Sequence, residues 1–268
     1  MPSYICTTCG VGYADTEAPR DVCLICADDR QYVNARGQTW TTLEALQREH
    51  VNDLRELEPG LLGIGARPQI AIGQRALLIE DPSGGVMWDC TPLVTDAAVR
   101  AVEARGGLKA IAISHPHFYS SMVDWSRAFG GAPIYLHEDN RDWVMRPDPA
   151  IEFWSGDSTQ IADGITLVRT GGHFPGSTVL HWRQGADGRG VLMTGDSIMV
   201  VPDTRWVSFM YSYPNLIPVN ARTVEAIVKA VRAYQFDRIY GGWWDRVLDG
   251  NAKAAVQRSA ERYIAAIR

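Results

Sequence analysis

The chain has 268 residues, 46% hydrophobic, 21% charged and 9% aromatic, a composition that can bury one large core or two unequal ones. It excludes a disordered chain, a collagen-like repeat and a disulfide-dense miniprotein, and no apolar run approaches the roughly 18 residues of a membrane helix. Acidic residues outnumber basic ones, 31 to 26, for a net charge of −5 with no Lys/Arg cluster to follow a phosphate backbone, so neither nucleic acid nor membrane is an expected partner.

The opening Met1-Pro2-Ser3-Tyr4-Ile5-Cys6 has neither a basic segment nor an apolar one of signal-peptide type, and a cytoplasmic location is expected. Four of the five cysteines, Cys6, Cys9, Cys23 and Cys26, form two C-x2-C knuckles separated by 13 residues. Two such knuckles turn four sulfurs toward one point, a tetrahedral set that suits zinc and also a single iron. Two disulfides are the alternative, one that a reducing compartment disfavours. The segment from Tyr4 to Cys26 resembles the short rubredoxin-like ribbon of rubrerythrins. Gly10 fits the turn after the first knuckle, and Ala27 stands where the second would have its glycine. Structural zinc is the expectation. The ribbon is taken as residues 1–36 and the body as residues 37–268.

In the body, Thr41 followed three residues later by Glu44 reads as a capping box for a helix reaching about His50. Strands are expected at Gln69 to Ile72, Ala76 to Glu80 and Val86 to Cys90. A helix follows from Thr95 to Arg105. A buried strand, Ala110 to Ile113, runs into Ser114-His115-Pro116-His117, and another covers Pro133 to Leu136. The second half repeats the style, with strands at Ile165 to Arg169, Val179 to Trp182 and Val191 to Thr194. A helix from Asn220 to Tyr234, a strand Arg238 to Tyr240 and a last helix from Ala252 to Ile267 complete it. Strand clusters each followed by a helix imply two sheets face to face with helices outside. Cys90, at a strand end, reads as a packed thiol.

Only six histidines are present. His115 and His117, one residue apart in extended backbone past a buried strand, point to the same side. Alone, such a pair is as readily a hydrogen-bonded polar pair as a metal site. A third histidine lies in the glycine-rich Thr170-Gly171-Gly172-His173-Phe174-Pro175-Gly176-Ser177, and Thr194-Gly195-Asp196-Ser197 puts a carboxylate at another strand end.

In this order the segments resemble the metallo-β-lactamase superfamily over roughly residues 60 to 245, with GGHFPGS close to the family's GHTPGS and TGDS close to its GDx. The resemblance implies an α/β fold, the αβ/βα sandwich of that family, with the ribbon added at the N-terminus. It implies that His115, His117 and His173 are the imidazoles of a first metal site and Asp196 the carboxylate that in the family normally bridges two metals. The family's H-x-H-x-D-H motif reads here His115-Pro116-His117-Phe118-Tyr119-Ser120, and its final histidine is replaced by Trp243. The private ligands of a second metal are therefore absent.

The expected activity is that of a metallo-hydrolase. One zinc activates a hydroxide against a small-molecule ester, thioester, lactone or amide. Asp196 acts as ligand or orienting group, and Tyr119 as an oxyanion donor or a pocket-wall aromatic. One zinc in the ribbon and one in the pocket are implied, with iron open at either site. Two other readings stay open. If His117 is unbound, His115, His173 and Asp196 match the facial triad of an iron dioxygenase acting on thiols or persulfides. The missing ligands also admit a non-catalytic metal-binding or interaction protein, with the ribbon as docking module or as part of a homo-oligomer. Trp206, Phe209, Tyr211, Tyr213, Trp243 and Trp244 are candidates to line an apolar mouth. His50, His137 and His181 read as structural, and Asp89 as a strand-end structural carboxylate. Asp245 is a minor candidate for proton transfer.

Overall fold

Thr42 begins the first helix because its side chain can accept the Ala45 N–H, and the helix α1 runs Leu43–Glu49. The cap is thus one residue later than the Thr41/Glu44 box predicts. Glu44 is inside the first turn and pairs with Arg48 at 2.8 Å. The computed structural model describes all 268 residues, and contacts divide them into two compact units: Met1–Leu136 with Arg141–Phe153, and His137–Asn140 with Trp154–Arg268.

The first unit opens with Tyr4–Cys6 paired antiparallel to Trp40–Thr42. Ile5 from the ribbon, Leu46 from α1, Ile70 and Leu93 form one buried apolar cluster, so the ribbon shares a core with its body. A seven-stranded sheet follows in chain order from Val51–Glu58 to Ile151–Trp154. Its first two strands, Val51–Glu58 and Leu61–Arg67, escape the sequence reading. The outer one is largely exposed and charged, as suits an unpaired edge, and carries no apolar alternation to detect. Gln69 to Ile72 is not a strand. Ala71 has φ 50° and the Gly73 N–H donates to the Ile70 carbonyl at 2.9 Å, which makes a turn.

Thr95 caps α2 (Asp96–Glu103) through the Ala98 N–H. This crossover makes the next strand, Leu108–Ala112, parallel to Gly85–Trp88, and Ile134–His137 adds a second parallel pairing. Buried Ile111, Ala112 and Ile113 fix this strand in the sheet, and its C-terminal end delivers His115 and His117. The short helix α3 (Met122–Ala128) then turns back, burying Met122, Val123 and Trp125.

The second unit has a six-stranded sheet in chain order, from Ser158–Ala162 to Val247–Asp249. Val191–Met193 and Arg238–Tyr240 lie parallel, joined by a crossover through α4 (Ala221–Val231). The helix α5 (Ala252–Ala266) packs beside it. Val224, Ile227 and Val231 of α4, with Val256 and Ala260 of α5, are buried with strand residues Val179, Leu192 and Ile239. Both helices stop short of the expected Tyr234 and Ile267. The backbone after Val231 turns, with the Tyr234 N–H bonded to the Val231 carbonyl. No helix is long and apolar enough to cross a membrane.

Candidate metal centres

The ribbon gathers four sulfurs. The Sγ atoms of Cys6, Cys9, Cys23 and Cys26 all lie within 4.8 Å of one another, and all four residues are buried. The Cys6–Cys26 and Cys9–Cys23 contacts are 3.7 Å, far beyond an S–S bond of about 2.05 Å, and every cysteine is free. The disulfide alternative is thereby excluded in this structure. Each knuckle is closed by its backbone: the Gly10 N–H donates to the Cys6 carbonyl at 2.8 Å and the Ala27 N–H to the Cys23 carbonyl at 3.0 Å. Two side chains donate to sulfur, Gln38 Nε2 to Cys6 at 3.2 Å and Tyr13 OH to Cys23 at 3.3 Å. Such donors stabilise negative thiolate, so a sulfur set of this chemistry fits a metal ion. Neither Gln38 nor Tyr13 is marked by spacing, which is why sequence reading misses them.

The second set is built on strand ends. Asp89, with φ 59° and 1% exposure, accepts both the Ser114 N–H and the Ser114 hydroxyl at 2.8 Å. The Ser114 hydroxyl has only one hydrogen, and Asp89 takes it. The 2.8 Å contact between Ser114 Oγ and His115 Nδ1 must then be donated by the imidazole. That leaves the Nε2 lone pair of His115 as its ligand atom. The sequence reading of Asp89 as structural is sharpened by this: the aspartate sets a tautomer through Ser114. His117 follows within a 3₁₀ turn, Pro116–Phe118, with its ring 5.1 Å from that of His115. The turn keeps both imidazoles buried and close despite the departure from extended backbone.

His173 sits in a loop closed on itself. The Thr170 and Gly171 N–H groups donate to the Ser177 carbonyl, and the Phe174 N–H donates to Ser177 Oγ at 2.8 Å. Gly171 and Gly172, at φ 62° and 86°, supply the left-handed backbone. Thr170 Oγ1 gives its one hydrogen to the Ser177 carbonyl at 3.0 Å and also meets Ser197 Oγ at 3.0 Å, tying this loop to the turn that carries Asp196. His173 Nε2 lies 3.7 Å from Asp196 Oδ2. Tyr213 OH donates to the Asp196 carbonyl at 3.0 Å, and its ring is 6.0 Å from that of His173. Burial first, and the Asp196 charge second, push the Tyr213 phenol well above its ordinary value, so it remains a donor.

One ligand atom each from His115, His117, His173 and Asp196 lies within 4.8 Å of the other three, and all four residues are buried. Three imidazoles and a carboxylate are the donor chemistry of a divalent transition metal. A sequence model described as the Metallo-beta-lactamase superfamily matches residues 71–243. The chain belongs to the metallo-beta-lactamase superfamily. It is 49% identical over 269 residues to the uncharacterized protein YmaE of Bacillus subtilis (strain 168), covering all of this chain and 97% of that one. Among solved structures, VMB-1 is similar with a TM-score of 0.62 at 15% identity, over 81% of this chain and 98% of that one. The DIM-1 metallo-beta-lactamase is similar with a TM-score of 0.60 at 13% identity, over the same shares. These likenesses show the fold, which is the superfamily's αβ/βα sandwich carrying a small N-terminal four-cysteine ribbon.

The remaining candidates go elsewhere. Both ring nitrogens of His137 are engaged: Nδ1 accepts the Asp139 N–H at 3.2 Å, so Nε2 carries the hydrogen and donates to the Gly156 carbonyl at 3.1 Å. His181 bonds the Gln235 carbonyl at 2.7 Å, and His50 the Pro68 carbonyl at 2.9 Å. Cys90 is wholly buried, and burial pushes its thiol well up. Asp245 is exposed and paired with Arg246 at 2.6 Å. Of the aromatics expected at a mouth, Trp206 lies beneath the guanidinium groups of Arg258 and Arg262, and Phe209 is core. The Tyr213 ring stands beside that of His173.

Proposed function

We propose that the protein is a metal-dependent hydrolase of a small-molecule ester, thioester, lactone or amide, using one metal ion held by His115, His117, His173 and Asp196. The observation that carries this reading is the buried set of three imidazoles and one carboxylate, in a chain whose superfamily consists largely of hydrolases. A divalent ion there supplies Lewis acidity and lowers the pKa of bound water toward ~7. Zinc is the favoured metal. The chain's own residues do the rest. Asp89 and Ser114 hold His115 in one tautomer, and Tyr213 anchors the backbone of Asp196, whose carboxylate then orients the attacking group.

The place of His117 in the set favours four donors over a three-donor iron triad. Tyr119 is 2% exposed and lines a cavity of about 10 Å³ with Val11, Gly12, Ser120 and Arg146. Burial raises its phenol, which rules it out as a base. These surroundings favour a packing role over an oxyanion donor. The ribbon, residues 1–36, is read as a zinc module packed on the body, residues 37–268.

Metal analysis of the purified chain tests the reading. One equivalent in the ribbon and one in the histidine set are expected, and the double change His115→Ala with His173→Ala removes the second only. A single, ribbon-bound equivalent in the unaltered chain would sink it. Against a panel of activated esters, thioesters and lactones, Asp196→Asn abolishes turnover and Tyr119→Phe preserves it.

A further inference from the structure

The last two positions of the superfamily motif, Tyr119 and Ser120, hold no metal-ligating side chain of the family's kind, yet Ser120 is 3% exposed and engaged on two sides. Its carbonyl accepts the Gly12 N–H at 2.9 Å. Its hydroxyl accepts from Gln74 Nε2 at 2.9 Å, and the same amide donates to the Cys9 carbonyl at 3.2 Å. The Cys9 carbonyl only accepts, so the amide nitrogen, and not its oxygen, must face the ribbon. One buried amide therefore bridges a cysteine of the ribbon to the loop that begins at His115.

The contact continues on both flanks. Gly10, held at φ 82° by the first knuckle, comes so close to Pro92 that a Cβ there would meet the proline ring at 2.5 Å. The Pro92 carbonyl in turn accepts the Ser121 hydroxyl at 2.8 Å. The loop is thus held at its start by Asp89 through Ser114, and at its end by the ribbon through Ser120 and by Pro92, against which Gly10 packs, through Ser121. Ser120 itself has φ 44°, a conformation a serine keeps only where its neighbours hold it. The backbone positions of Cys9, Gly10 and Gly12 depend on the knuckle, whose four sulfurs a metal would draw together.

We infer that Gln74 and Ser120 are positioning residues through which the four-cysteine ribbon holds the His115–His117 loop in its metal-binding form, so that a metal ion in the ribbon strengthens metal binding by the histidine set. The inference rests on the reading of that set given above and adds what regulates it. Where the superfamily uses the end of this motif for a second metal, this chain uses it to dock a second metal module. Linkage makes the effect reciprocal: metal at the histidine set raises the ribbon's affinity by the same factor.

The test uses the full chain with Gln74→Met, which keeps length and removes the amide, and Ser120→Ala. Cobalt(II)–thiolate absorption reports the ribbon, zinc competition against a chromophoric chelator reports the histidine set, and amide hydrogen exchange reports residues 115–121. Both variants are expected to keep the thiolate absorption while the histidine set binds zinc about 10- to 100-fold more weakly, as for other outer-shell losses. A merely structural role would leave the affinity of the folded, ribbon-loaded variants at the unaltered value, and that result overturns the inference. Should the unaltered chain bind metal in the ribbon alone, the hydrolase reading falls and exchange decides: faster exchange of residues 115–121 in both variants, or on stripping the ribbon, upholds the coupling, and unchanged exchange overturns it.

Discussion

Ser114 decides which face His115 shows. Its hydroxyl hydrogen goes to Asp89, so its oxygen can only accept from Nδ1 of His115. In Ser114→Ala that acceptor is gone and the imidazole is free to change tautomer or rotate. Metal affinity at the histidine set is expected to drop about 10- to 100-fold, with the ribbon's metal unaffected, in a chelator competition titration. His181 illustrates a different residue-scale effect. Burial first lowers its pKa below the ordinary 6.5, despite its bond to the Gln235 carbonyl. Protonation therefore favours the unfolded chain. The stability that neutral His181 contributes is present above about pH 6.5 and is lost as pH falls through the lower folded value. Urea unfolding from about pH 7 down to pH 5 should show a steeper loss for the unaltered chain than for His181→Gln; parallel losses would remove His181 as a cause.

At the scale of elements, strand ends place the donors and turns aim them. The loop around His173 illustrates how little room such a turn leaves. Gly172 lies at φ 86°, and a Cβ there would meet Ile227 Cδ1 of α4 at 2.7 Å. Gly172→Ala adds a left-handed penalty and an overlap with a buried helix side chain. A cost of about 1–3 kcal/mol in urea unfolding is expected. Because His173 is the next residue, the same variant should retain less metal at the histidine set. Full stability with full metal content would show that α4 can yield at this point. The edge strand Val51–Glu58 makes the complementary point. Its charges, including the Asp53–Arg55 pair at 2.6 Å, keep its outer side in water.

For the whole molecule, the ribbon raises the question of where its stability comes from. Its own share of the apolar cluster is small: Ile5 meets Leu46, Ile70 and Leu93. Four buried thiols crowded within 4.8 Å are costly without a cation. Strong chelation is expected to lower the melting temperature seen by calorimetry, and zinc to restore it. A melting temperature that ignores both would show that the ribbon folds on packing alone.

Local patterns in the chain determined the donors themselves. C-x2-C spacing brings two sulfurs together whatever lies beyond, and His115, His117, His173 and Asp196 stand in turns after apolar runs that can only be buried strands. Most helices and strands are legible for the same reason, since burial of one face imposes its period on neighbouring residues. Tertiary structure alone decided the partners. Ser114 meets Asp89 across 25 positions, Gln74 meets Cys9 across 65 and Ser120 across 46, and no periodicity encodes such a contact. The turn at Gln69 to Ile72, the polar edge strand and the diversion of Trp206 and Phe209 into packing follow likewise from what each segment lies against. Residue type sets which atoms can bind a metal or share a proton. Which of them do so depends on distances that exist only once remote parts of the chain have packed.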